Sequence, residues 1–117
     1  VQEPQNPQHT QRTQYAEPGR ETPTIEEARD RILYRMSLET LRCLEDGVLE
    51  TERDGNIGSL FAFGFPAATG GAIQFARREG LEAFRAKAED FAARFGARFA
   101  PPETALARLA ETDALAA

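Results

Sequence analysis

From Ile25 to Leu44, apolar residues recur at helical spacing, at Ile25, Ala28, Ile32, Leu33, Met36, Leu41 and Leu44. Thr24-Ile25-Glu26-Glu27 reads as a capping box, in which a hydroxyl and a carboxylate satisfy free N–H groups of the first turn. Glu27 and Arg31 stand four apart in the favourable order for an ion pair. The pattern predicts a helix ending at Asp46, with Gly47 as a left-handed cap and Val48 folding back. Tyr34 and Leu38 fall outside the main stripe, which broadens the apolar face. A helix of this kind packs on more than one neighbour, so Tyr34 and Leu38 are candidate interface residues. Glu52 to Asn56 then predicts a turn rich in helix-capping side chains, with Asp54 or Asn56 as the cap. Ile57 to Phe63 predicts a short helix, closed by Gly64 and by Phe65-Pro66, since the residue before proline avoids the α region. After Gly70-Gly71, a third helix runs from Ala72 to Arg78 and Gly80 closes it. Leu81, Phe84, Ala88, Phe91 and Phe95 form one stripe of a fourth, and Pro101-Pro102 opens a short last helix carrying Leu106 and Leu109. No stretch alternates with period two, so the expected fold class is all-α with about five helices.

The first 23 residues break this regime. They hold five glutamines and four prolines, with little apolar beyond Val1, Tyr15 and Ala16. Such a segment buries too little surface to offset its ordering entropy and is expected to be a disordered tail or linker. Residues 24–117 are then one helical domain. Composition narrows its chemistry. The chain has one His, one Cys and no Trp, and the single histidine, His9, lies in the tail. The domain therefore has no His-based general base, and Cys43 alone forms neither an internal disulfide nor a CxxC metal site. The net charge is −5 with no basic stripe, which argues against nucleic acid as a partner. No stretch approaches the ~20 apolar residues of a membrane span, and the expected setting is cytoplasmic.

Individual motifs add little. Gly55-Asn56-Ile57-Gly58 is a poor match to a phosphate loop, lacking a preceding strand and the GxGxxG or GxxxxGK[ST] spacing. Glu45-Asp46 and Glu89-Asp90 are adjacent on helices, so their carboxylates diverge. Arg77-Arg78 suits a helix C-terminus as well as it suits a phosphate, and Cys43 reads as a small apolar filler. All eight phenylalanines lie beyond residue 60. Most are expected in the core, but Phe61, Phe63 and Phe65 cannot all face inward from one narrow helix. Phe61 and Phe63 are therefore candidate interface residues.

One larger pattern stands out. Arg42-Cys43-Leu44-Glu45-Asp46-Gly47-Val48, then Asp54-Gly55-Asn56-Ile57-Gly58, then Gly64-Phe65-Pro66-Ala67-Ala68-Thr69-Gly70-Gly71-Ala72 resembles the C-terminal helical domain of 3-hydroxyacyl-CoA dehydrogenases. It is most similar to the last copy of that domain in the multifunctional α subunit of the bacterial fatty-acid β-oxidation complex. The resemblance covers roughly residues 25 to 110. It implies a helical domain like the C-terminal domain of 6-phosphogluconate dehydrogenase, belonging to an NAD-dependent oxidoreductase of lipid metabolism. It also implies packing against the NAD-binding domain and the first helical domain, or against a second copy as a homodimer. The family's catalytic His and Glu belong to the absent nucleotide-binding domain. An active-site Asn that precedes an Arg in the family is replaced by Asp30 before Arg31, and an Asn-Glu pair by Leu38-Glu39. No catalytic, NAD-binding or metal-binding residue therefore carries over. Gly64, Phe65, Pro66, Gly70 and Gly71 do carry over, as structural residues. An acyl-CoA ligand held through Arg77 or Arg78 is a weaker expectation, because the domain's negative charge repels a polyanion.

Overall fold

The computed structural model describes residues 22–116. Apart from Thr22 and Pro23, the expected tail lies outside the described residues. Five α-helices follow in order: α1 Ile25–Glu45, α2 Glu52–Ala62, α3 Ala72–Glu79, α4 Leu81–Phe95 and α5 Glu103–Ala116. Short 3-10 turns at Ala67–Thr69 and Ala97–Phe99 link them. Among the described residues there is no strand, so the fold is all-α as expected from the periodicity.

α1 begins where the capping pattern places it, with the Thr24 hydroxyl accepting from the Glu27 amide at 3.1 Å. It ends at Asp46, followed by Gly47 at φ +78°. Leu49, rather than Val48, folds back: its amide bonds the Cys43 carbonyl and its side chain packs on the core, while Val48 is exposed. Glu27 does not pair with Arg31. It pairs with Arg94 of α4, because the chain folds α4 back along α1 and brings a second cation closer than the one on its own helix.

α1 is the hub, packed by α2, α3, α5 and the Ala97–Phe99 turn. Its buried face is Tyr34, Ser37, Leu38, Thr40, Leu41 and Leu44. This corrects the expected helix phase. Tyr34 and Leu38, the candidate interface residues, are 1% and 0% exposed, whereas Ile25 and Ile32 of the main stripe are 88% and 61% exposed. The reason is α4. Phe84 stacks on Tyr34 with ring centroids 4.7 Å apart, and Phe91 and Phe75 meet the same tyrosine edge-on. Three aromatic rings outweigh the aliphatic stripe in apolar area and turn the helix toward themselves. Leu106 and Leu109 of α5 close the core beneath Leu41 and Leu44.

The Tyr34 hydroxyl donates to a Glu79 carboxylate oxygen at 2.8 Å. Burial is the main cause that raises its pKa far above the usual value, and the bond to Glu79 and the charges of Glu79 and Asp30 act the same way. In the unfolded chain tyrosine ionises near pH 10, while folded Tyr34 keeps its proton. The unfolded state then holds fewer protons, so stability is complete below about pH 10 and falls as pH rises beyond it. Urea unfolding midpoints should therefore decline from about pH 9 to pH 11, and Tyr34→Phe should flatten that decline. An equal decline in both proteins would contradict this origin.

Candidate functional site

The motif-like residues converge where α2 meets the N-terminus of α3. α2 starts five residues earlier than the apolar run suggests, because the Thr51 hydroxyl accepts from the Asp54 amide and supplies the cap. Neither Asp54 nor Asn56 caps α2. Gly55 and Asn56 lie inside it, and each is used across the interface. A Cβ on Gly55 would stand 2.6 Å from Ile73 Cδ1, so its absence lets α2 seat against α3.

Asn56 caps the neighbouring helix. α3 follows Gly71, which has no side chain to accept from the free amides of the first turn. Asn56 Oδ1 accepts from the amides of Ile73 and Gln74, both at 2.9 Å, and Ser59 Oγ accepts from the Ala72 amide at 2.9 Å. The Ser59 hydroxyl in turn donates to the Asn56 carbonyl, and the Ser37 hydroxyl of α1 donates to the Ala72 carbonyl at 2.6 Å. The polar atoms of Asn56-Ile57-Gly58-Ser59 thus serve a helix end supplied by another part of the chain. Replacing Asn56 with alanine leaves two amides without an acceptor and should lower stability by about 2 kcal/mol. Asn56→Asp keeps an acceptor at a helix N-terminus and should retain most of the stability. Urea denaturation of both variants checks this ordering.

The resemblance-derived residues surround this junction. Gly64 adopts φ +66°, and the Phe65 amide returns to the Ser59 carbonyl. Phe65 is buried against Phe75, Pro66 leads into the 3-10 turn, and Gly70 and Gly71 adopt φ +85° and +120°. The other candidates are engaged elsewhere. Arg77 is gripped by both oxygens of Glu52 and by Asp113, and Arg78 donates to the Ala68 carbonyl. The Glu52 bond also raises the Arg77 pKa. With two carboxylates on Arg77, a phosphate at this arginine would have to displace paired charge. Glu45 accepts from the Thr104 amide at the start of α5, Glu89 pairs with Arg85 and Asp90 with Arg94. Among the described residues, no group of three or more His, Cys, Asp or Glu side chains is placed to hold a metal ion. Among the described residues, no helix is long and apolar enough to cross a membrane.

Part of the outward surface is apolar. Phe61 and Phe63 are 86% and 67% exposed, as expected for residues that one narrow helix cannot bury together. Phe63, Met36, Val48, Leu49 and Cys43 line a groove of about 480 Å³ between α1 and α2. Cys43 is thus half-buried in a groove wall, not enclosed as a core filler. A second cleft, of about 540 Å³, lies on the other side of Arg35 and Met36, between α1 and the Ala97–Phe99 turn. Ile32, Phe95, Arg31 and Arg98 line it. Its sequence signal was the Ile25-Ala28-Ile32-Met36 stripe, which reads as core when the helix phase is judged from aliphatic residues alone.

No family model matches the chain. Sequence relatives are nevertheless clear. The chain is 38% identical over 81 residues to the fatty acid oxidation complex subunit alpha of Vibrio parahaemolyticus and 40% identical over 81 residues to that of Vibrio vulnificus. Each alignment covers 69% of this chain and 12% of the relative. The subunit alpha of Shewanella amazonensis is 35% identical over 85 residues, 73% of this chain and 12% of the relative. The chain therefore spans about one-eighth of the length of these relatives. That extent is consistent with a C-terminal domain of such a subunit, and the chain is a homologue of one segment of the fatty acid oxidation complex α subunits.

Proposed function

We propose that this chain is the C-terminal helical domain of an NAD-dependent L-3-hydroxyacyl-CoA dehydrogenase of fatty-acid β-oxidation, and that it acts by packing, not by chemistry. Working in the cytoplasm, it supports closure of the substrate cleft and the seating of the NAD-binding and first helical domains, or of a second copy. NAD is bound by the enzyme's nucleotide-binding domain and not by this chain. The observation that carries this reading is the relationship, at 35–40% identity, to subunits named for fatty acid oxidation. Two physical features support it. The motif-bearing polar side chains are engaged in capping helices of this same domain. Apolar residues that include Phe61, Phe63 and Ile32 point outward.

The test is a chimera in which the matching segment of the Vibrio vulnificus subunit is replaced by the equivalent residues of this chain. The chimera should retain NAD-dependent oxidation of a 3-hydroxyacyl-CoA, and the isolated chain should neither bind NAD nor turn the substrate over. Turnover by the isolated chain would overturn the reading. The exposure of Phe61 and Phe63 favours a second reading, a free-standing helical dimerisation or docking module without an enzymatic role. In that case sedimentation should show a concentration-dependent dimer that Phe61→Glu with Phe63→Glu abolishes, and the chimera should be inactive.

A further inference from the structure

α1 carries two apolar faces, and the core covers one of them. The other, Ile25, Ala28, Ile32 and Met36, faces outward and continues through Cys43. Arg35 and Met36 form a wall shared by the two clefts, and the cleft between α1 and the Ala97–Phe99 turn runs along α1 from Ala28 to Met36. At 1.5 Å per residue this is about 12 Å, or roughly two helical turns. An apolar groove of that length beside a helix fits the apolar side of another helix, with anchors at i, i+3, i+4 and i+7.

Its charge narrows the occupant. The chain is acidic overall, yet the cleft between α1 and the Ala97–Phe99 turn is rimmed by Arg31, Arg35 and Arg98. The Arg31 guanidinium carbon stands 3.6 Å from the centroid of the Phe95 ring, a cation–π contact that does not engage its N–H donors as a carboxylate would. Among the described residues, no carboxylate lies within salt-bridge distance of Arg31 or Arg98. The Arg98 carbonyl instead accepts from Arg35 and Arg42, which fixes the turn against α1. Arg35 shares Glu39 with Arg42, and Glu27 is held by Arg94.

We propose that this groove docks an amphipathic helix of a partner domain whose apolar stripe is flanked by carboxylates, with Arg31 and Arg98 as their counter-charges. This rests on the packing role proposed above and names the face and the partner chemistry it uses. A second copy is the poorer occupant, because a two-fold contact sets the same patch on both sides and brings the two arginine sets together.

The probes are two fluorescein-labelled peptides of about five helical turns with leucines at i, i+3, i+4 and i+7. In one the flanking positions are glutamate, and in the other lysine. The full chain should bind the glutamate peptide at least about tenfold more tightly than the lysine peptide, with the gap shrinking as salt is raised above about 0.15 M. Arg31→Glu with Arg98→Glu, in a chain whose circular dichroism is unchanged, should reverse the preference, and Ile32→Glu should weaken both peptides. Equal binding of the two peptides, or binding of neither up to about 1 mM, would overturn the proposal. So would dimerisation of the full chain by sedimentation that Ile32→Glu abolishes, since a second copy would then hold the groove. An active chimera together with peptides bound alike would leave the packing role standing and remove the acidic partner. Charge-selective binding with an inactive chimera would do the reverse.

Discussion

Gly71→Ala should remove about 3 kcal/mol or more of stability, the largest effect expected from deleting no contact at all. Two causes act together. Gly71 adopts φ +120° and ψ +172°, a region that side chains other than hydrogen rarely occupy. Its missing Cβ is also filled by the neighbouring helix: an added methyl would stand 2.5 Å from Asn56 Cα and 2.7 Å from Asn56 Oδ1. Backbone cannot swing aside as a flexible side chain can. Relief therefore requires α2 and α3 to separate, which pulls Asn56 off the amides of Ile73 and Gln74 and uncaps α3. Small domains have total stabilities of about 5–15 kcal/mol, so the variant should show a sharply lowered urea midpoint and early loss of helical circular dichroism. Gly58→Ala is the control. No atom lies within 4 Å of its Cβ position and its φ is not positive, so the same methyl should be tolerated in the interior of α2, where alanine is the better helix former. Equal stability of the Gly71→Ala and wild-type chains would contradict the close approach.

Leu38→Glu should leave little folded protein, while Ile32→Glu on the same helix should change stability by no more than about 0.5 kcal/mol. Leu38 is wholly enclosed within a core that includes Tyr34, Leu41 and Ile73. A carboxylate there loses its hydration without a cation to replace it, and the leucine's own burial of about 2–3 kcal/mol is lost as well. Ile32 is 61% exposed, so a glutamate in its place keeps its water. The pair tests the phase of α1 directly, because the aliphatic periodicity read from the chain assigns the two residues opposite roles. Thermal unfolding followed at 222 nm separates the outcomes. Tolerance of Leu38→Glu alongside collapse of Ile32→Glu would mean that the helix is turned the other way.

Much of the local structure could be read from short-range chemistry. The capping pattern at Thr24, Gly47 after α1, the Leu81–Phe95 stripe and the stop at Gly64 to Pro66 each depend on residues within a turn or two of each other. Asp54, Gly55 and Asn56 carry strong local turn signals, yet each stands within a helix whose cap is Thr51. The Thr51 cap is itself a local signal, three residues before Asp54, and at Gly55 and Asn56 the pull toward a turn is further overridden by partners on α1 and α3 that no local window contains.

The relationship to a β-oxidation subunit was also legible, because it resides in residue order across Gly64, Phe65, Pro66, Gly70 and Gly71. The exposure of the candidate interface residues was half legible. Phe61 and Phe63 are exposed, as counting how many rings a short helix can bury predicts, whereas Tyr34 and Leu38 are enclosed in the core. By itself, then, the sequence determined that the chain is helical, where most helices begin and end, and which larger enzyme it is related to, since periodicity, caps and residue order are written along the chain. Tertiary structure alone decided which side of α1 faces the core, that Asn56 caps a helix other than its own, and that Arg31 and Arg98 share one apolar cleft. Each of those depends on which distant residues arrive at the same place, and a helix with two apolar faces is turned by the larger aromatic surface that meets it.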